Sequence, residues 1–320
     1  MEIVKLKAPI KDNLWGGTRL RDLFGKESDG DILAEAWELS AHNDGISEIV
    51  SGEFAGKNFQ EYLSAKGQAI IGSKWSGEGF PILVKFIDAQ NPLSIQVHPQ
   101  DDYAKKFEND NGKTEMWYVI DAEEGSFLYY GLRREVSKEE FRRAIEEGTL
   151  EDILFKVYPK AGDVFLLESG SIHAIGAGLL ICEIQQSSNV TYRVYDYMRK
   201  DKNGNLRELH IDKALDVSNL KPLARKKFDS INHINPRLKR LAKCDYFDAL
   251  KGELNEENNS EKYIVSRESF QSLTFIKGTG QIKTDSNEVI DVKAGETYFV
   301  GAQDASYEIS GNCEFILATL

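Results

Sequence analysis

Hydrophobic positions in this chain come in short runs punctuated by glycine. Phe80 to Ile87, Leu93 to Val97, Glu115 to Ile120, Val164 to Leu167 and Leu179 to Ile184 are each apolar or alternating, and each is brief. Runs of that length between turn residues predict β-strands, and their number predicts a sandwich or barrel. The 26 glycines and 7 prolines fit many tight turns and few rigid breaks. One helix interrupts the series. Ser137-Lys138-Glu139-Glu140 has the arrangement of a capping box; Phe141, Ile145 and Leu150 follow at helix-like spacing, and Gly148 is a natural stop. Weaker patterns predict helices over Asn58 to Ala65 and Asp101 to Phe107. A further β-rich stretch is expected from Tyr263 to Leu320, after a helical or irregular patch.

At 320 residues the chain is long for a single core, so two domains are expected. The basic, proline-containing stretch Lys221-Pro222-Leu223-Ala224-Arg225-Lys226-Lys227 reads as their connection. That places one domain at 1–224, with a helical insertion at about 137–150, and a second at 225–320. The halves share a weak similarity. Pro159 to Leu166 and Val292 to Phe299 both run through Ala-Gly-acid into an apolar strand. His173 lies 11 residues beyond Gly162, whereas Ser306 stands at the matching distance from Gly295. The halves thus read as one fold used twice, with chemistry kept only in the first.

Charge narrows the partners. The net charge is −12 and the isoelectric point near 5.1, which argues against nucleic acid and anionic membrane surfaces. The apolar runs fall far short of the roughly 20 residues that span a bilayer. The opening Met1 to Lys7 alternates charge with apolarity and has no signal-peptide core. Cys182, Cys244 and Cys313 are far apart and odd in number, unlike a disulfide framework. A cytoplasmic protein, monomeric or weakly homo-oligomeric, is expected. An anionic small substrate requires cations that converge locally against the global field.

Candidate chemistry gathers on the predicted strands. In Leu93 to Pro99, alternation puts Ser94, Gln96 and His98 on one face and Leu93, Ile95 and Val97 on the other. The strand Glu115 to Val119 offers a carboxylate, and Gly170 to Gly176 places His173 at a strand end or tight turn. Two imidazoles and a carboxylate, with an amide oxygen in reach, suit a catalytic Zn²⁺ with an open position. The succession of His98, Glu115, an Ala-Gly-Asp turn and His173 resembles the two motifs of cupin jelly rolls. His42, His210 and His233 lack such surroundings.

A closer resemblance follows. Ser94-Ile95-Gln96-Val97-His98-Pro99, Gly112 to Tyr118, Ser171-Ile172-His173-Ala174 and Glu183 to Arg193 are similar to the signature segments of type I mannose-6-phosphate isomerases. Leu14-Trp15-Gly16-Gly17 and Ala34-Glu35-Ala36-Trp37-Glu38 fit the same family, in the short bacterial form. The resemblance implies two cupin-like jelly rolls, a helical insertion reduced to a remnant, and interconversion of mannose 6-phosphate and fructose 6-phosphate through an enediol. It also implies one zinc ion per chain, bound by Gln96, His98, Glu115 and His173. Lys85, Lys113 and Arg193 match basic positions of the family. Arg193 would stabilise the enediolate or the phosphate, Glu183 would transfer the proton, and Lys85 and Lys113 would contact substrate. An extended chain would separate Glu183 from Arg193 by about 33 Å, so a turn at Ser187-Ser188-Asn189 is required to bring both to one pocket. Two positions depart from the family: Asn189, where many relatives carry aspartate, and Asp101, where longer members carry lysine. Competing readings are an Fe²⁺ cupin dioxygenase and a non-catalytic sugar-binding cupin.

Overall fold

The computed structural model describes residues 1–200, 204–224 and 238–320. The chain is mainly β, in three antiparallel sheets. A six-stranded sheet runs in the order Val164–Leu167, Glu115–Ala122, Leu179–Gln186, Ile82–Ala89, Glu35–Leu39 and Ile10–Lys11. A five-stranded sheet runs Tyr192–Tyr195, Ile95–Val97, His173–Ile175, Leu128–Leu132 and Leu154–Val157. Between these two lie Trp15, Ile87, Trp117, Val119, Leu128 and Ile181, which form one cluster.

The near-continuous apolar runs of the central strands have a simple cause. Ile82–Ala89 and Leu179–Gln186 are buried along their whole length. One face of the sheet carries Ile82, Val84, Phe86, Cys182 and Ile184 into a large core that also holds Phe59, Phe270 and Phe299. Their other face looks toward the five-stranded sheet. Covering both faces removes the solvent side that would demand polar residues.

The third sheet has nine strands and is built from Leu238–Lys243, Asp248–Leu254, Ser260–Val265, Gln271–Thr284, Val289–Lys293, Thr297–Val300 and Ala305–Thr319. Its remaining strands come from the beginning of the chain, since Ile3–Lys7 pairs with Thr297–Val300 and with Glu48–Ile49. Phe299 stacks its edge against Phe59 at 5.0 Å and lies beside Phe270 at 5.5 Å, so aromatic packing joins early and late segments. The β-rich stretch therefore starts at Leu238 rather than Tyr263. Lys239, Lys243, Lys251 and Glu253 alternate with buried positions there, and this charge masks the strands in the sequence. Of the expected connection, residues 225–227 lie outside the described residues. The two Ala-Gly-acid turns are alike, with Gly162 at φ 90° and Gly295 at φ 87°, each leading into a strand.

The helices follow their caps. In Lys138–Glu146, Ser137 accepts from the Glu140 amide at 3.1 Å, but the Glu140 carboxylate turns to Arg134, so the capping box is only half made. Leu150 belongs to a separate short turn, Leu150–Ile153, because Gly148 ends the first helix at φ 71°. The weaker prediction proves better capped. Asn58 and Glu61 make both reciprocal bonds ahead of Phe59–Lys66. Asp101–Phe107 is helical as expected.

Candidate metal centre and cavity

The site lies between the six- and five-stranded sheets, and ladder register builds it. On the five-stranded sheet, Arg193 pairs with Gln96, Gln96 with His173 and His173 with Tyr130, one row across four strands. On the six-stranded sheet a second row runs Trp37, Lys85, Glu183, Trp117 and Phe165. Directly paired residues project to the same side of a sheet. Gln96 and Arg193 from the first row, and Trp37, Lys85, Glu183 and Trp117 from the second, line one cavity of about 390 Å³. The segment between Gln186 and Tyr192 contains no strand and carries the chain from one sheet to the other. That crossing brings Glu183 and Arg193 to the same space.

His98, Glu115 and His173 converge behind this cavity, each almost wholly buried. His98 Nε2 lies 3.4 Å from Glu115 Oε2, and His173 Nε2 lies 3.2 Å from Oε1. The other nitrogen of each ring is taken by a carbonyl: His98 Nδ1 by Val190 O at 2.7 Å, and His173 Nδ1 by Ser171 O at 2.9 Å. A carbonyl only accepts, so each Nδ1 carries the proton and each Nε2 presents its lone pair. Burial, and then the Lys113 charge, push His98 down to about 3; burial likewise lowers His173. Both rings are therefore neutral near pH 7. Burial works to raise Glu115, but Lys113 and the two imidazoles outweigh it and hold the carboxyl well below its usual range.

This arrangement can hold a cation. Both Glu115 oxygens are buried and accept no hydrogen bond. Lys113 Nζ approaches Oε2 to 2.9 Å as an ion pair without being aimed as a donor. Two lone pairs and two carboxylate oxygens turned on one point, with the Nδ1 atoms fixed by carbonyls, form the donor set and outer support of a metal ligand cluster. Gln96 stands beside it, with its amide nitrogen 3.3 Å from His173 Nε2 and its oxygen within 3.4 Å of Ser94 Oγ.

Two family models match, "Phosphomannose isomerase type I, catalytic domain" over residues 3–129 and "Mannose-6-phosphate isomerase, cupin domain" over residues 238–320. The chain is 36% identical over 315 residues, 98% of each sequence, to a Bacillus subtilis protein named "Probable mannose-6-phosphate isomerase GmuF". It belongs to the type I mannose-6-phosphate isomerase family. The Streptococcus mutans mannose-6-phosphate isomerase is 44% identical over 212 residues, which cover 66% of each chain. The crystal structure of the mannose 6-phosphate isomerase from Bacillus subtilis superposes with a TM-score of 0.91 at 34% identity, covering 99% of both chains. A structure described as mannose 6-phosphate isomerase bound with zinc and yttrium shares the fold, with a TM-score of 0.77 at 17% identity and 99% coverage of each chain.

In this isomerase the remaining charged groups form a chain across the inner cavity. Lys113 Nζ sits 3.9 Å from Glu183 Oε1, Lys85 Nζ sits 3.7 Å from the same oxygen, and Glu35 Oε2 is 3.3 Å from Lys85. Trp117 Nε1 donates to Glu183 Oε2 at 2.8 Å, while Oε1 accepts no hydrogen bond. Burial, and after it the Glu115 charge, raise Glu183 above the carboxylate range, against Lys113 and Lys85. Lys113 is raised instead, because Glu115 and Glu183 outweigh its burial.

Several of these residues escaped the sequence reading. Trp117 shares strand parity with Glu115 and could have been found that way. Glu35 and Trp37 were legible as a motif without a role; in the structure Trp37 Nε1 donates to Glu35 at 2.7 Å and the Trp37 ring underlies Lys85 at 4.6 Å. Arg207, which lines the cavity, had no signal at all. The departures also resolve. Asp101 lies off the cavity, accepting from the Gly112 amide and from Tyr246 of the C-terminal part. Asn189 lines the cavity and donates to Asp44 at 2.7 Å.

Proposed function

We propose that this enzyme interconverts mannose 6-phosphate and fructose 6-phosphate through an enediol, with one zinc ion per chain held by His98, Glu115 and His173 and bordered by Gln96. The observation that carries the reading is the pair of Nε2 lone pairs turned on a hydrogen-bond-free buried carboxylate, at the edge of a cavity that also holds Glu183 and Arg193. Bound there, a zinc ion supplies Lewis-acid polarisation of the sugar oxygens. Glu183 moves the proton between adjacent carbons. Its Oε1 faces the cavity unpartnered, Trp117 fixes its other oxygen, and burial shifts it toward the range useful for proton transfer near neutrality. Asn189 takes no part in that step, because an amide is no base at neutral pH. Lys85 and Lys113 hold Glu183 from two sides. Arg193 offers a cation to developing negative charge. In this reading residues 1–224 carry the chemistry and residues 225–320 support it.

Turnover of mannose 6-phosphate, with metal removed and then restored, tests the proposal. Chelation should abolish interconversion and stoichiometric zinc should restore it. A fully metal-loaded enzyme that does not interconvert the two sugar phosphates sinks it.

Arg193 gives a separate test. Arg193→Ala should lower kcat on the order of 100-fold, as loss of one transition-state donor does. Metal content should be normal, because a guanidinium has no lone pair for zinc. A loss confined to KM would restrict Arg193 to ground-state binding, and unchanged constants would remove it from the reaction.

A further inference from the structure

The cavity has two ends that differ in exposure and charge balance. At the inner end the side chains of Lys85, Lys113 and Glu183 are only 5%, 6% and 4% exposed. Each lysine is already shared between carboxylates: Lys85 between Glu35 and Glu183, Lys113 between Glu115 and Glu183. A phosphate dianion placed there would meet Glu183 directly. At the outer end lie Asn189, Thr191, Arg193 and Arg207, the last 24% exposed. Here three guanidinium groups, Arg193, Arg199 and Arg207, face Asp196 and the exposed Glu208. The excess is positive in a chain whose net charge is −12.

Two details make this end a receptor for an anion. Arg193 Nε is buried and has no hydrogen-bond partner, and its Nη1 reaches only the Glu208 carbonyl at 3.0 Å. A buried donor left open calls for an acceptor that arrives with the ligand. Arg207 is held by Asp196 through Nε at 2.6 Å and Nη2 at 2.5 Å, and Arg199 grips the same carboxylate. That fork leaves the Nη1 hydrogens of Arg207 free and fixed in direction, the preorganisation that suits a tetrahedral oxyanion.

We infer that the substrate phosphate docks at the outer end on Arg193 and Arg207, which makes Arg207 the residue that selects phosphorylated over free hexoses. The inference rests on the proposed isomerase reading and adds an orientation to it. The phosphate is held outward, and the carbons that exchange the proton lie inward, near Glu183. Lys85 and Lys113 then act on Glu183 rather than on the phosphate.

The test uses inorganic phosphate as a probe of the metal-loaded enzyme, by calorimetry at fixed ionic strength, beside steady-state kinetics. Arg207→Gln should weaken phosphate about 10- to 100-fold, the range for one charged hydrogen-bonding group, and raise KM for mannose 6-phosphate by a similar factor. Its kcat should change less than KM, and the ratio of kcat/KM for mannose 6-phosphate over mannose should fall. Arg207→Lys keeps the charge against Asp196 and should lose less than the glutamine variant; it serves as well if Arg207→Gln fails to fold. Lys85→Gln should leave phosphate affinity within about threefold of the parent. Unchanged phosphate affinity in both Arg207 variants, or a larger loss in Lys85→Gln, overturns the inference. Phosphate affinity is read without turnover, so a chain that failed to isomerise mannose 6-phosphate would defeat the function while leaving the subsite decided.

Discussion

Glu115→Gln should lose bound metal and isomerase activity together. The carboxylate is the only negative group between two neutral imidazoles, and neither of its oxygens is engaged by a hydrogen bond. An amide in its place offers one weak oxygen and turns an N–H toward a ring nitrogen or the cation. Replacing even an outer-shell partner of a metal ligand typically costs 10- to 100-fold in affinity. Loss of a charged ligand from so small a set should exceed about 100-fold. His98→Ala and His173→Ala should act in the same direction, since each removes the only Nε2 that its strand contributes. Metal stoichiometry by mass spectrometry, measured with turnover on the same preparations, checks this. Full occupancy in two of the three variants would show that the cluster is not the metal site.

The second large effect belongs to Glu183. Glu183→Gln keeps the shape of the side chain and an acceptor for Trp117 Nε1, but it cannot take a proton. Loss of a positioned acid–base group typically lowers the rate by about 10²- to 10⁴-fold. The fall should appear in kcat, with metal content unchanged, because Glu183 reaches the cluster only through Lys113. Substrate incubated in deuterated water should no longer gain deuterium at the carbons adjacent to the carbonyl. Persistent exchange at the parental rate would assign the proton to another group.

The sequence made part of this site plain. Strand alternation put Gln96 and His98 on one face, and the Ala-Gly-Asp turn before Val164–Leu167 set the approach to His173. Those features depend on two-residue periodicity and on a glycine at positive φ, both local properties. Arg207 was invisible because its role depends on Asp196, Arg199 and a cavity wall, none of which leaves a periodic trace. The strands between Leu238 and Tyr263 were hidden for a related reason. Lysines and glutamates on their outward face break the apolar pattern, which suits a sheet that meets solvent on one side. Asp101 shows the reverse error. It sat beside a signature motif and suggested substrate contact, yet it caps the Gly112 amide and ties down Tyr246.

The first strand has a consequence for the making of the protein. Ile3–Lys7 is held on one edge by Glu48–Ile49, through two residue pairs, and on the other by Thr297–Val300. Beside it, the Glu2 amide donates to the Gln303 side chain, 301 positions along the chain. A ribosome must therefore deliver most of the polypeptide before its earliest strand acquires a second neighbour. Until then that edge is open, with unpaired amides available to any passing strand. Nascent chains stalled before residue 300 should thus be the species most in need of a chaperone.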